Sequence, residues 1–173
     1  SDSGEFPLGI RHVLLISLDT LRADHLACYG HEFVQSPALD ELAREGVVFD
    51  YCISSAPTTL ASHTSLFTGK YPHTHGVPRN GFEVPDANVM LPEVLREHGF
   101  RTAGFAGAAP LDTDVNFHQG FDEYDADFTI TEGAREGIFQ RPANEVTDTA
   151  LDWLDGRGAG VDERLFMFLH YYD

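Results

Sequence analysis

The chain has 173 residues, of which 42% are hydrophobic and 12% aromatic, a composition typical of a globular domain with a substantial core. Its 28 acidic and 11 basic residues give a net charge of −17, which argues against nucleic acid and anionic membranes as partners. No apolar run approaches the roughly 18 residues that a membrane span needs, so we expect a soluble protein, cytoplasmic or exported with its leader removed.

The predicted elements alternate between strands and helices along the chain. The run HVLLISL, residues 12–18, is short and nearly all apolar, which predicts a buried strand of a parallel sheet. Further strands are predicted at 47–53, 101–108 and 164–172, and helices at 36–46, 60–67, 90–100 and 143–156. No element is predicted between residues 110 and 141. The order predicts an α/β fold with a mainly parallel sheet and helices on both faces.

The two cysteines, Cys28 and Cys52, have apolar neighbours in the sequence. Two cysteines are poor material for a disulfide scaffold or for a zinc site, which needs three or four ligands at fixed spacing. We therefore expect two buried free thiols.

Asp19 directly follows the first predicted strand. In open α/β sheets ligands bind outside the carboxyl ends of the strands, and a carboxylate there suits a divalent metal such as Ca, Mg, Mn or Zn. The alternative is that Asp19 caps the turn DTLRADH that follows the strand. Position alone leaves both interpretations open.

Hydroxyl groups crowd the start of a predicted helix in SSAPTTLASHTSLFTGKYPHTHGV, residues 54–77. With the helix beginning near Thr58, the residues Thr59, Ser62 and His63 fall at i, i+3 and i+4 and share one face. A nucleophile at this position would meet a phosphate or sulfate held by the N–H groups of the helix N-terminus. The structural alternative has Thr58 as the helix cap and Ser62 in solvent.

The histidines of this stretch do not have the spacing of a helical metal pair. His63, His73 and His75 lack the i, i+4 arrangement that such a pair requires. We expect His73 and His75 to be surface histidines in the turn after the helix.

Four motifs occur in a characteristic order: HVLLISLDTLRADHLACYG, LFTGKYPHTHGV, LPEVLREHGFRTAGF and QGFDEYDAD. Together they resemble the sulfatase family, within the alkaline phosphatase superfamily, over residues 11–173. The resemblance implies a sulfatase-like fold and a divalent metal, with a small-molecule, glycan or lipid ester as substrate. It also implies that residues 1–173 are the N-terminal part of a longer catalytic domain, whose later part supplies further metal ligands.

The nucleophile motif of the family is absent. Authentic sulfatases make formylglycine from the first residue of a Cys/Ser-x-Pro-x-Arg motif, which lies a fixed distance before a Thr-Gly pair. Counting back from 68–69 places Thr59 at the nucleophile position, with Ala61 and His63 in place of the motif's Pro and Arg. Cys52 cannot substitute, because the residues after it do not complete the motif.

Two further departures concern the metal and the transferred group. Thr20 stands where the family has the second of two adjacent metal-binding aspartates, so Asp19 stands alone. After RTAGF the chain continues AGAAPLD and lacks the Gly-Lys-x-His-type motif whose Lys and His grip sulfate in the family.

A threonine nucleophile favours phosphorus over sulfur. The hydrate of formylglycine expels sulfate by elimination at carbon, whereas a threonine ester must be cleaved by water at sulfur or phosphorus. Phosphoryl intermediates are routinely resolved this way with metal assistance. Threonine nucleophiles with a metal are known in the nucleotide pyrophosphatases and phosphoglycerol transferases of the superfamily.

The resemblance therefore implies a metal-dependent hydrolase or transferase of phosphate, phosphonate or sulfate esters. Asp19 and Thr59 would be metal ligands, Thr59 also the nucleophile, and His63 would contact the transferred group or assist proton movement. We expect activity in the full-length protein and little or no turnover from the 173 residues alone. Two alternatives stay open, namely a non-catalytic sulfatase-like binding or structural domain and a true sulfatase with an unusual nucleophile.

Overall fold

The structure is a computed structural model, which describes residues 9–128, 140–156 and 163–172. The chain divides into two compact units. The larger unit comprises Ser1–Asp19 and Ser55–Asp173, and the smaller one comprises Thr20–Ser54. No helix in the described part of the chain has both the length and the apolarity that crossing a membrane requires.

The larger unit is built on a four-stranded parallel sheet. Its strands are β1 (His12–Leu18), β2 (Phe100–Phe105), β3 (Glu123–Asp125) and β4 (Arg164–Tyr171), in the spatial order β1-β4-β2-β3. The pairing of β1 with β4 extends one residue beyond β1, since the Asp19 N–H donates to the Tyr171 carbonyl oxygen at 2.9 Å. The carboxyl ends of these two strands therefore lie side by side.

Alternate residues of β4 enter two separate cores. Phe166 and Phe168 pack on one face with residues of α2 (Thr59–Thr68) and α4 (Leu91–Glu97), between which lies the short helix α3 (Pro72–His75). Met167 and Leu169 pack on the other face against α5 (Ala143–Gly156). Burial of each such Phe side chain contributes roughly 1.5–3 kcal/mol to the free energy of unfolding. The α/β fold, with a parallel sheet and helices on both faces, is confirmed.

Most predicted elements are present with small shifts of their ends. The prediction of a buried strand at 12–18 is wrong in one respect, because β1 lies at the edge of the sheet and its Leu14, Ile16 and Leu18 are exposed. The strand predicted over 101–108 ends at Phe105, because the chain then leaves the sheet and enters 3₁₀ turns at Ala109–Leu111 and Thr113–Val115. The segment without a predicted element contains β3, whose three residues are too few to produce a periodic pattern. Residues 129–139 of that segment lie outside the described residues.

The smaller unit contains α1 (Pro37–Glu45) and 3₁₀ turns at Ala23–His25 and Ala27–Tyr29. The strand predicted over 47–53 is wrong. A strand needs a neighbour for its backbone hydrogen bonds, and 47–53 pair with no strand among the described residues. Both cysteines are free, but Cys28 is half-buried and Cys52 is exposed, so the expectation of buried thiols is also wrong.

Gly104 of β2 lies directly beneath two aromatic rings. A Cβ atom at this position would come 2.6 Å from Cδ2 of Tyr124 and 3.1 Å from Cε1 of Phe121. We expect Gly104→Ala to lower the free energy of unfolding by about 1–3 kcal/mol in urea denaturation, because the rings must shift within a packed core.

The matched control is Gly156→Ala at the end of α5, where a Cβ atom would meet no atom of the described residues within 4 Å. This variant should unfold at or slightly above the wild-type urea midpoint. Equal midpoints for Gly104→Ala and the wild type would contradict the packing described here.

Candidate functional site

Asp19 and Thr59 are 40 residues apart in the sequence and are joined by a hydrogen bond. The Thr59 hydroxyl donates to Oδ2 of Asp19 at 2.7 Å. Asp19 is placed by the end of β1, and Thr59 is the first residue of α2. The backbone turns sharply after Asp19, with Thr20 at a φ of 59°, a left-handed conformation that β-branched residues rarely adopt. The predicted metal ligand and the predicted nucleophile are thus brought together.

His170 contacts the same carboxylate and was not predicted as a site residue. It is fully buried near the end of β4, with its Nε2 3.2 Å from Oδ2 of Asp19. The Gly107 N–H donates to its Nδ1 at 3.3 Å. Because Nδ1 accepts this bond, we assign the hydrogen of the neutral ring to Nε2, which donates it to Asp19.

The hydrogen bonds determine the charge of Asp19. Burial opposes ionisation of this carboxyl group, but the hydrogen bonds from His170 and Thr59 outweigh it and hold the pKa of Asp19 below its ordinary value. Asp19 is therefore a carboxylate at neutral pH and a weak proton acceptor.

His63 lies one helical turn after Thr59, as predicted, and both of its ring nitrogens have partners. Nδ1 is 2.7 Å from the Thr59 carbonyl oxygen, and Nε2 is 2.8 Å from Oγ of Ser17. Since a carbonyl only accepts, Nδ1 carries the hydrogen and Nε2 accepts from the Ser17 hydroxyl. Contact between His63 and a substrate would require one of these bonds to break, so its catalytic role stays a prediction.

The start of α2 is capped by a distant side chain. Oδ1 of Asn80 accepts a hydrogen bond from the Leu60 N–H at 2.8 Å. Thr58 occupies the N-cap position but makes no side-chain cap bond, and its buried Oγ1 has no hydrogen-bond partner in the described part of the chain. Thr58 is therefore the N-cap residue, as expected, but its side chain does not make the capping bond. The Ser62 hydroxyl donates to the Thr59 carbonyl oxygen at 3.0 Å.

The other two histidines of the stretch do not bond to Asp19 or Thr59. His75 is buried, with Nε2 2.9 Å from Oγ of Ser65 and Nδ1 accepting from the Val77 N–H. The expectation of a surface position is therefore wrong for His75 and right for His73, which is exposed. Both lie in a short helix, Pro72–His75, and not in a turn as expected.

His170, Asn80 and Ser17 were not predicted as site residues, and only the first of them is indicated by a pattern in the sequence. His170 lies in the predicted strand RLFMFLHYY near its carboxyl end, the same position in a strand that singled out Asp19. Asn80 and Ser17 carry no such signal. Asn80 reaches the helix start from a loop 20 residues downstream, and Ser17 is one hydroxyl within an apolar strand.

Asp19 and Thr59 have the type of donor atom that a divalent metal binds, and they would supply part of its coordination shell. The Asp19 carboxylate and the Thr59 hydroxyl are oxygen donors of the type that such cations bind. Both hydrogen bonds to Asp19 use Oδ2, which leaves Oδ1 for a cation. Divalent ions take roughly four to eight ligands, and within the described ranges no group of three or more His, Cys, Asp and Glu side chains could hold one.

The neutral state of His63 predicts a pH-dependent stability. Burial, followed by the nearby His170, lowers the pKa of His63 from 6.5 to about 4. Between these values the unfolded chain binds a proton that the folded chain does not, so stability falls as the pH is lowered from 6.5 to 4. The full effect is about 3 kcal/mol, reached below pH 4.

Urea denaturation across this pH range checks the prediction. His63→Gln should lose its part of the pH dependence, because glutamine does not titrate. His73→Gln, at an exposed position, should keep the wild-type dependence. The pKa assignment fails if the His63→Gln and wild-type stabilities stay parallel between pH 4 and 6.5.

Comparison with known proteins identifies the relatives of this chain. Residues 11–173 match the family model described as Sulfatase. The chain is 25% identical over 156 residues to the N-acetylglucosamine-6-O-sulfatase of Bacteroides thetaiotaomicron, an alignment that covers 84% of this chain and 28% of that protein. The chain therefore spans less than a third of the length of this relative.

Solved structures show the same fold. One is a protein in complex with its substrate D-glucosamine-2-N,6-O-disulfate, with a TM-score of 0.74 and 22% identity over 92% of this chain and 33% of that one. Another is the phosphonate monoester hydrolase of Agrobacterium radiobacter, with a TM-score of 0.70 and 22% identity over 94% of this chain and 40% of that one. Because the family match extends over nearly the whole chain and these structures share its fold, the chain belongs to the sulfatase family.

Proposed function

We propose that this chain carries the nucleophile of a metal-dependent hydrolase or transferase that acts on phosphate or phosphonate esters in preference to sulfate esters. The observation that carries the proposal is the hydrogen bond of 2.7 Å from the Thr59 hydroxyl to Oδ2 of Asp19, at the N-terminus of α2. The relatives of this chain in the sulfatase family are ester hydrolases. Because the chain spans less than half of their length, we propose that it is the N-terminal part of the catalytic domain.

The contacts of Thr59 support its role as the nucleophile. Its hydroxyl hydrogen points at Asp19, which leaves the oxygen lone pairs free to face an ester. His170 donates to the same carboxylate oxygen and holds it in place. A divalent cation bound to Asp19 and Thr59 would lower the pKa of the Thr59 hydroxyl and neutralise charge on the transferred group.

The start of α2 supplies donors for an anionic group. The first N–H groups of a helix have no partner within the helix, and the dipole favours negative charge there. Asn80 accepts from the Leu60 N–H through Oδ1, so its Nδ2 group faces the other way, and this group makes no hydrogen bond to the described residues. We propose that Nδ2 of Asn80 and the first turn of α2 bind the oxygens of the transferred group.

The choice between phosphorus and sulfur rests on Thr59 itself. A threonine ester cannot release its phosphoryl or sulfuryl group by elimination as the hydrate of formylglycine does. Water must therefore attack the phosphorus or sulfur atom itself. The fold itself does not decide between the two, since a protein that binds a sulfated sugar and a phosphonate monoester hydrolase both share it. The substrate is proposed to be a small-molecule, glycan or lipid ester, since the net charge of −17 argues against nucleic acid.

The proposal predicts which side chains turnover requires. The assay uses a protein that contains this chain and has the full length of its relatives. In it, Thr59→Ala and Asp19→Asn should each lower kcat at least about 10³-fold. The assay compares nitrophenyl phosphate, phosphonate, phosphodiester and sulfate with Ca, Mg, Mn and Zn. Thr149→Ala and Asp152→Asn on α5 are the matched controls and should keep wild-type rates.

Each outcome of this panel selects one function. Full activity of both site variants would exclude the nucleophile assignment. Turnover of sulfate alone would indicate a true sulfatase with an unusual nucleophile. The absence of metal-dependent turnover of all four esters would favour a non-catalytic binding domain.

Asn80 allows its capping and binding roles to be separated. Asn80→Asp keeps an acceptor for the Leu60 N–H, so its stability should stay within about 0.5 kcal/mol of the wild type. Its added negative charge should raise KM for anionic esters at least about tenfold. Asn80→Ala removes both functions and should also lose about 1 kcal/mol of stability.

Asn144→Asp, at an exposed position on α5, controls for the added charge and should change neither quantity. An unchanged KM in Asn80→Asp would show that Asn80 acts only as a helix cap.

A further inference from the structure

We propose that the apolar surface formed by β1 and the adjoining flank of α5 is an interface within the catalytic domain, covered by a strand and a helix from the part of the domain outside these 173 residues. Five side chains of the larger unit define this β1 surface: Leu14, Ile16, Leu18, Leu151 and Leu154. The inference rests on one element of the proposed function, namely that the chain is the N-terminal part of a longer domain. It requires neither a nucleophile nor a metal.

Three apolar side chains of β1 lie in solvent on one face of the sheet. Leu14, Ile16 and Leu18 pair in register with the β4 residues that pack against α5. Residues opposite each other in adjacent strands face the same side, so these three lie on the α5 face. They are nevertheless 57%, 45% and 38% exposed. Since parallel sheets are almost always covered on both faces, β1 lacks its cover on this face.

The backbone of the same three residues faces the outer edge of the sheet. The Arg11 carbonyl and the Asp19 N–H both bond to β4, so the odd-numbered residues of β1 direct their N–H and C=O groups to β4 and the even-numbered ones direct theirs outward. The outward N–H groups have no partner among the described residues. Natural edge strands are protected by charged side chains, proline or bulges, and HVLLISL contains no Asp, Glu, Lys, Arg or Pro. Such an edge is typical of a strand with a further neighbour.

The flank of α5 that faces β1 is apolar and exposed as well. Trp153 contacts Phe105 of β2, with ring centroids 5.9 Å apart, whereas Oγ1 of Thr147 lies 2.9 Å from the hydroxyl of the tyrosine that ends β4. Because β1 follows β2 and β4 in the sheet, the Thr147 side of the helix faces β1. Leu151 and Leu154 follow Thr147 at i+4 and i+7 and share this side. They are 52% and 38% exposed.

The width of the uncovered part fits one strand and one helix. A helix with its side chains is about 10 Å wide and neighbouring strands are about 4.8 Å apart, so one helix covers about two strands. α5 packs on β4 and β2, which leaves β1 without a helix on this face. A second helix beside α5 would lie over β1 and over one further strand at its outer edge.

The relatives have the length of chain that such a cover needs. The protein solved with D-glucosamine-2-N,6-O-disulfate shares this fold over 92% of the present chain but only 33% of its own, so most of that protein lies outside the shared part. The cover would also support the proposed site, since Leu18 directly precedes Asp19 and the two share one strand end.

The net charge argues against a second copy of this chain as the cover. Two copies would bring together net charges of −17 each. Net charge far from zero keeps proteins monomeric through mutual repulsion. A neutral, apolar surface on so acidic a chain is therefore better suited to a contact within one protein.

Hydrogen exchange of the wild-type sequence tests the proposal. It compares the 173-residue chain with a protein that contains it and has the full length of its relatives. In the 173-residue chain the even-numbered amides of β1 should exchange at least about tenfold faster than the odd-numbered ones, which bond to β4. In the longer protein both sets should exchange slowly. Because the odd-numbered amides are an internal reference, the longer protein decides the question even if the 173 residues do not fold alone.

Thiol labelling of Ile16→Cys tests the face of the strand. The variant is made with Cys28→Ser and Cys52→Ser, since Cys52 is exposed. Maleimide should react at least about tenfold more slowly with the longer protein than with the 173-residue chain, because a buried thiol reacts only during local opening. Asp148→Cys, at an exposed position on α5, is the matched control and should react at the same rate in both.

Three results would overturn the proposal. The first is fast exchange of the even-numbered amides, or undiminished labelling of Ile16→Cys, in the longer protein. The second is slow exchange of the even-numbered amides in the 173-residue chain, which would show that this chain covers β1 by itself or through a second copy. The third is protection in the longer protein that is lost on dilution to a monomer, as measured by sedimentation, which would place a second copy on the β1 surface.

Neither measurement depends on turnover, so the proposed function is tested separately. If Thr59→Ala keeps full activity while β1 is protected, the nucleophile assignment fails and the interface stands. If activity depends on Thr59 while β1 stays exposed in the longer protein, the interface fails and the nucleophile assignment stands.

Discussion

A single carboxylate oxygen, Oδ2 of Asp19, accepts hydrogen bonds from two elements that are far apart in the sequence. Thr59 donates from the start of α2, and His170 donates from near the end of β4. The side chain of Asp19 is only 12% exposed, so a negative charge there needs such donors in place of water. This requirement ties β1, α2 and β4 together at the point where the strands end, and the geometry of the site depends on it.

The two histidines beside this carboxylate hold their hydrogens in opposite ways. The rings of His63 and His170 lie perpendicular, with centroids 5.0 Å apart. The Thr59 carbonyl oxygen places the hydrogen of His63 on Nδ1, whereas the Asp19 carboxylate and the Gly107 N–H together favour Nε2 in His170. Groups that the fold holds in place thus determine both tautomers. A protonated His63 would be buried beside a second imidazole, which is why its pKa lies at about 4.

The parts of the structure that sequence could predict are those set by local pattern. The apolar run of β1 and the amphipathic pattern of α5 are complete in themselves, and both elements lie where they were predicted. Residues 47–53 carry an equally apolar pattern but have no neighbouring strand in the described part of the chain, so the pattern alone could not make a strand. Asp19 followed from its place after a strand, and Thr59 from the family resemblance.

The remaining site residues depend on contacts between residues far apart in the sequence, which no local pattern can predict. Asn80 meets Leu60 across 20 residues, and Gly107 meets His170 across 63. Only the folded chain shows that Asn80 caps a helix and that Gly107 must lack a side chain. Such contacts are also the ones that fix hydrogen positions, so the electrostatics of the site could not be read from its residue types.

The charge balance of the site supports the proposal that a cation binds there. Asp19 is ionised, His63 is neutral, and no lysine or arginine among the described residues bonds to Asp19, Thr59 or His170. The chain as a whole carries −17. An anionic ester would thus approach a negative site on a negative protein, with only the dipole of α2 and the amide of Asn80 in its favour. Since a helix terminus contributes at most about 2 kcal/mol, these groups cannot alone offset the repulsion of two nearby anions at low dielectric. Within the proposed function, the lone carboxylate therefore suits the role of a cation ligand better than that of a partner of the substrate.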